Sequence, residues 1–129
     1  MKCSVAMAVF NGASYLHDQL QSIADQSHPP DELVVCDNGS TDGTQDIVRK
    51  FASRVSFPVR LHQNEINLGY ANNFALATSL CSHEIVFWSD CDDWWRPEKI
   101  REFCQRFERD SDLLLLFSDS ELVDFSLRP

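Results

Sequence analysis

Short segments that are apolar on both faces alternate along this chain with segments whose apolar residues recur at helical spacing, and that alternation leaves few folds open. Ser4 to Phe10 is apolar throughout its centre, whereas Ala13 to Gln26 sets Leu16, Leu20, Ile23 and Ala24 on one helical face. His28-Pro29-Pro30 stops that helix, because proline lacks a donor and clashes with the preceding turn, and Glu32 to Cys36 reads as a second short strand. Asn38-Gly39-Ser40 then turns the chain. Asp42, with Gln45 three residues on, resembles a capping box that opens a helix to about Ala52, with Ile47, Val48 and Phe51 inward.

The unit repeats. Val59 to His62 follows Pro58 as a third strand, Gly69 to Leu80 reads as a helix, and Glu84 to Trp88 is a fourth strand. Arg96-Pro97-Glu98 opens another helix, since proline is tolerated at the first helical position and an acid suits the positive end of the dipole; Ile100, Phe103, Cys104 and Phe107 form its inner stripe. Leu113 to Ser118 predicts a fifth strand.

Strands apolar on both faces, alternating with helices, imply an α/β fold: a Rossmann-like, mostly parallel sheet with helices on both faces. The 129 residues suit a single domain over 1–129. Sheets of this kind bind ligands where loops gather at the carboxyl ends of the strands, beside a topological switch point. Three unusual polar stretches fall at such ends: Phe10-Asn11-Gly12, Asp37-Asn38-Gly39-Ser40, and the run Trp88-Ser89-Asp90-Cys91-Asp92-Asp93-Trp94-Trp95.

A formal net charge of -9, with no Lys/Arg cluster to offset it, would repel a phosphate backbone and argues against nucleic acid as a partner. The five cysteines show neither C-x-x-C nor zinc spacing, which favours a reduced, cytoplasmic setting. The apolar runs, Leu113 to Phe117 among them, fall far short of the ~20 residues that cross a bilayer.

The acid run admits two readings. Asp90 and Asp92, at i and i+2, repel each other unless water, protonation or a counter-charge intervenes, and magnesium or manganese would supply that charge through one or two carboxylates. Alternatively the acids are solvated, with Asp92 or Asp93 capping the helix that follows. Trp88, Trp94 and Trp95 are expected to fill a core or a helix–sheet seam, and Cys91 to fill space. Asp37 could be a turn residue bonding its own backbone or a binding group at a strand end.

Taken in order, SVAMAVFNGASYLHDQLQSI, ELVVCDNGSTDGTQDIV, NEINLGYANNFALA and FWSDCDDWWRPEKI resemble the amino-terminal half of the family 2 glycosyltransferases, which have the GT-A fold. The resemblance implies that Phe10 and Asn11 lie against a nucleotide, that Asp37 hydrogen-bonds its pyrimidine base, and that Asn67 and Gly69, with Asn72 and Asn73, flank it. Asp90 and Asp92 match the D-x-D motif, in which the first acid lies near the ribose and the last binds Mn2+ or Mg2+ bridging the diphosphate; Asp93 matches a common following acid.

It further implies transfer of a sugar, with inversion, from a UDP- or dTDP-linked donor to a glycan or lipid-linked hydroxyl acceptor, in cell-surface polysaccharide biosynthesis and peripheral to the inner face of a membrane. The segment that supplies the acceptor site and general base in this family is expected to be missing, the chain ending in a stretch that resembles mid-domain sequence. An uncovered sheet edge would then invite self-association into a homo-oligomer.

Overall fold

The computed structural model describes residues 1–129, and its elements follow the expected alternation. β1 is Cys3–Val9, α1 Leu16–Ala24, β2 Glu32–Asp37, α2 Thr44–Ala52, β3 Val59–Gln63, α3 Tyr70–Ser79, β4 Ile85–Asp90 and α4 Lys99–Arg109. All strand pairs are parallel, in the order β3-β2-β1-β4. The chain thus grows outward from β1 through β2 to β3 and then returns to the other side of β1. The gap between β1 and β4 is the switch point.

Strand β1 shows why the two faces differ. Cys3, Val5, Met7 and Val9 point into the larger core, against Leu16, Leu20 and Ile23 of α1, Val48 and Phe51 of α2, and Ile100 and Cys104 of α4. The intervening Ala6 faces the other way, packing with Val34, Cys36 and Ala77 beneath α3. Small side chains on that face let the α3 backbone ride close to the sheet. Burial of each large aliphatic or aromatic side chain in the first cluster is worth roughly 1.5–3 kcal/mol. Helices cover both faces, three on one and one on the other.

The amino-terminal end of the sheet is locked by a buried carboxylate. Glu32 sits opposite Ser4 and accepts hydrogen bonds from the Ser4 hydroxyl at 2.7 Å, the Arg60 guanidinium at 2.8 Å, and the Ser82 backbone N–H. Burial alone would push its pKa up; the Ser4, Ser82 and Arg60 donors outweigh that and hold it down at about 2.

Three expectations are corrected. Residues 113–118 form no strand: Leu114, Leu115 and Phe117 are exposed, and the segment has no neighbour with which to share a ladder, without which an apolar run gains nothing from extension. Asp42 and Gln45 form no capping box. The α2 helix starts after Gly43, whose φ of 91° only glycine adopts cheaply, while Asp42 accepts from the N–H and hydroxyl of Thr44 and Gln45 turns back to Asp37. Of the tryptophans only Trp95 is buried; Trp94 is exposed, and Trp88, exposed too, leans on Phe74 of α3 across the helix–sheet seam.

Candidate functional site

Four loops meet at the carboxyl end of the sheet, and side-chain to backbone hydrogen bonds staple them together. The Asn11 N–H donates to Ser40 Oγ at 2.8 Å, and Asn11 Oδ1 accepts from the Thr41 N–H at 2.9 Å. Asn11 itself has φ 48°, a left-handed conformation that asparagine tolerates better than most residues. The Gly12 N–H donates to Thr44 Oγ1 and the Ala13 N–H to Asp42 Oδ2. The loops after β1 and β2 therefore form one rim.

An asparagine web joins β2, β3 and α3. Asn38 Oδ1 accepts from Asn64 Nδ2 at 3.0 Å and from the Leu68 N–H at 2.8 Å, and its amide donates to the Gly69 carbonyl. Asn64 also donates to Asn73 Oδ1, while Asn73 donates to the Cys36 carbonyl at 2.8 Å. Asn67 Oδ1 caps the Gly69 N–H at 2.8 Å, with Gly69 at φ 79° launching α3. Asn64 Oδ1 is left buried without a partner.

Between these loops and β1 lies a cleft of about 310 Å³ lined by Ala8, Val9, Phe10, Asn38, Asn67, Tyr70 and Asn73. Phe10 and Asn67, singled out in the sequence, thus meet across one cavity, and Gly69 lies just behind it. Asp90 borders the same side, because Tyr70 donates its phenolic hydrogen to Asp90 Oδ1 at 2.9 Å. Desolvation, with Asp90 next, pushes the Tyr70 pKa up to about 12, so the hydroxyl stays a donor at neutral pH.

Asp37 and Asp90 stand on either side of β1, in register with Val9 and Ala8 respectively. Because consecutive residues of a strand point to opposite faces, the two carboxylates do too. Asp90 faces α3. Asp37 is fully buried toward α2, where the Ser40 N–H and hydroxyl and the Gln45 amide donate to it. The structure brings Asp90 to the edge of the cleft and sets Asp37 behind the rim.

The acid turn after β4 is held from α1 and the residues just past its end by a polar stripe that sequence reading overlooked. Gln19 Nε2 donates to Ser89 Oγ at 2.7 Å, the Trp95 N–H donates to Ser22 Oγ at 3.1 Å, and Gln26 accepts from the Ile100 N–H while donating to the Arg96 carbonyl. Their spacing of three and four residues was the available signal. Cys91 packs under Gly12, where an added Cβ would lie 2.9 Å from its Sγ. Burial pushes that thiol up to about 11, consistent with filling space.

This turn fits a hard divalent cation. Tyr70 occupies only Oδ1 of Asp90, and Asp92 stands exposed in the turn. Asp93 has its pKa raised first by desolvation and then by Asp90 and Asp92, with Lys99 opposing. No three His, Cys, Asp or Glu side chains converge as a ready cage. The chain would therefore contribute one or two carboxylates, the number that magnesium takes when phosphates and water complete its shell.

The family described as "Glycosyl transferase family 2" matches residues 4–125. The putative teichuronic acid biosynthesis glycosyltransferase TuaG of Bacillus subtilis is 31% identical over 77% of this chain and 39% of its own length. S. aureus TarS in complex with UDP-GlcNAc superposes with a TM-score of 0.77 at 29% identity, covering 84% of this chain and 32% of TarS. The mannosyltransferase PcManGT of Pyrobaculum calidifontis, in complex with GDP-Man and Mn2+, gives 0.76 at 27% identity over 82% of this chain and 32% of its own. The chain spans less than half the length of the curated relatives it matches. No helix is long and apolar enough to cross a membrane.

Proposed function

Because the chain belongs to glycosyl transferase family 2, we propose that it forms the donor side of an enzyme that moves a sugar from a nucleoside diphosphate carrier to a hydroxyl acceptor. The observation that carries this reading is the hydrogen bond by which Tyr70, in the wall of a cleft shared with Phe10, reaches Asp90 at the start of the acid turn after β4. Its structural neighbours crystallised with UDP-GlcNAc and with GDP-Man and Mn2+ support the same ligand class.

In this reading the aromatic walls take the apolar faces of the nucleoside, Asn38 and Asn67 supply polar groups at its edge, and Asp90 meets the ribose. Asp92, with Asp90, holds Mn2+ or Mg2+, which when bound offsets the negative charge on the diphosphate leaving group. Asp37 reads a pyrimidine base only by exchanging one of its present partners; until then it braces the rim. Inversion, a glycan or lipid-linked acceptor and a place in cell-surface polysaccharide synthesis belong to the proposal through the family resemblance.

Calorimetric titration of the purified chain with uridine, thymidine and guanosine diphosphates, each with Mn2+ and with EDTA, tests it. Binding of at least one that requires Mn2+ is expected. Absence of binding by all three, or indifference to the metal, overturns the reading.

A second reading, a self-associating nucleotide-binding module without turnover, is favoured by the open edge of β4 and the exposed Leu114, Leu115 and Phe117. A donor-hydrolysis assay combined with sedimentation separates the two: sugar release supports the catalytic reading, whereas a stable dimer that releases none supports the other.

A further inference from the structure

We propose that Tyr70 is a positioning residue for Asp90, fixing one carboxylate oxygen so that only the other remains for a cation or a ribose hydroxyl. The inference rests on the donor-site reading above and names a residue that the sequence motifs did not single out. Tyr70 is the first residue of α3, and the left-handed Gly69 aims it across the mouth of the cleft toward β4. Its hydroxyl meets Asp90 Oδ1 at 2.9 Å, although 20 residues separate the two in sequence.

Burial does not account for where this ring sits, since Tyr70 is 68% exposed. Its edge is braced against Phe74 at 5.1 Å between centroids, and Phe74 in turn leans on Trp88 at 5.7 Å. Trp88 is tied back to α3 through its indole N–H, which donates to Thr78 Oγ1 at 2.9 Å. The ladder fixes the ring from one side and leaves the hydroxyl for Asp90. A half-exposed aspartate otherwise samples several rotamers, and a ligand must then order it at its own expense; a braced tyrosine does that ordering in advance.

Three chains decide the matter: wild type, Tyr70→Phe and Tyr70→Ala, each titrated calorimetrically with uridine, thymidine and guanosine diphosphates in Mn2+ and in EDTA. Thermal unfolding of each serves as the control on folding. Tyr70→Phe keeps the ring and its contact with Phe74 and removes only the hydroxyl.

The expected result is a loss of about tenfold in Mn2+-dependent affinity for Tyr70→Phe, the loss due to one hydrogen bond to a charged group, with the unfolding midpoint unchanged. Tyr70→Phe that binds like wild type overturns the proposal, and does so equally if Tyr70→Ala alone is weakened, because the ring rather than the hydroxyl would then matter. If wild type itself shows no Mn2+-dependent binding, the donor-site reading falls first and takes this inference with it.

Discussion

The side-chain amide of Gln19 donates a 2.7 Å hydrogen bond to the hydroxyl of Ser89, both fully buried, one residue before Asp90. A helix on one face of the sheet thereby fixes the strand end from which an acid is presented on the other. Replacing Gln19 by Leu leaves the Ser89 and Ser22 hydroxyls each one partner short. The expected cost is about 1–3 kcal/mol by urea unfolding, with a weaker Mn2+-dependent nucleotide affinity in parallel.

Asp92→Asn should separate binding from stability. Mn2+-dependent nucleotide binding is expected to weaken at least about tenfold in calorimetry. In EDTA the variant should unfold at the same temperature or slightly above wild type, because one of the charges that raises the Asp93 pKa is gone. A fall in the unfolding midpoint with binding retained would contradict both parts.

Gly12 is required by space. Its missing Cβ would stand 2.8 Å from Val9 Cγ2 and 2.9 Å from Cys91 Sγ. Gly12→Ala is expected to cost about 1–3 kcal/mol, lowering the unfolding midpoint by roughly 4–11 °C. Adding Val9→Ala should recover part of that loss, which a double-mutant cycle in urea would read directly.

Glu32 makes stability depend on pH in one direction. Its ordinary value is 4.5 and its folded value about 2, so the contribution is fully present above pH 4.5 and lost as the pH falls from 4.5 toward 2. Wild type should exceed Glu32→Gln in stability at neutral pH by on the order of 2 kcal/mol, the gap closing as the pH approaches 2. Urea unfolding of both proteins at intervals across that range checks it.

The strand-and-helix order was legible because each strand of the sheet carries its own local signal, as in the unbroken apolar run of Val5 to Val9. Asp90 was legible for the same reason: it ends such a run. Tyr70, Gln19 and Asn64 were not, since each acquires its meaning from a partner 20, 70 or 26 residues distant, and nothing in a local pattern reports that. Asp37 shows a subtler limit. Sequence placed it level with Asp90, yet a one-residue difference in register against β1 turns it to the opposite face. Residues 113–118 failed as a strand because strand formation needs a neighbour, which composition cannot supply.

Every hydrogen bond that shapes the cleft and the acid turn runs between residues 9 and 100, from the Asn38 N–H on the Val9 carbonyl to the Ile100 N–H on Gln26. The residues beyond Arg109 touch this framework through the stacking of Phe125 on Tyr15 at 5.8 Å. The stretch up to the end of α4 accordingly carries the hydrogen-bonded frame of both the cleft and the acid turn.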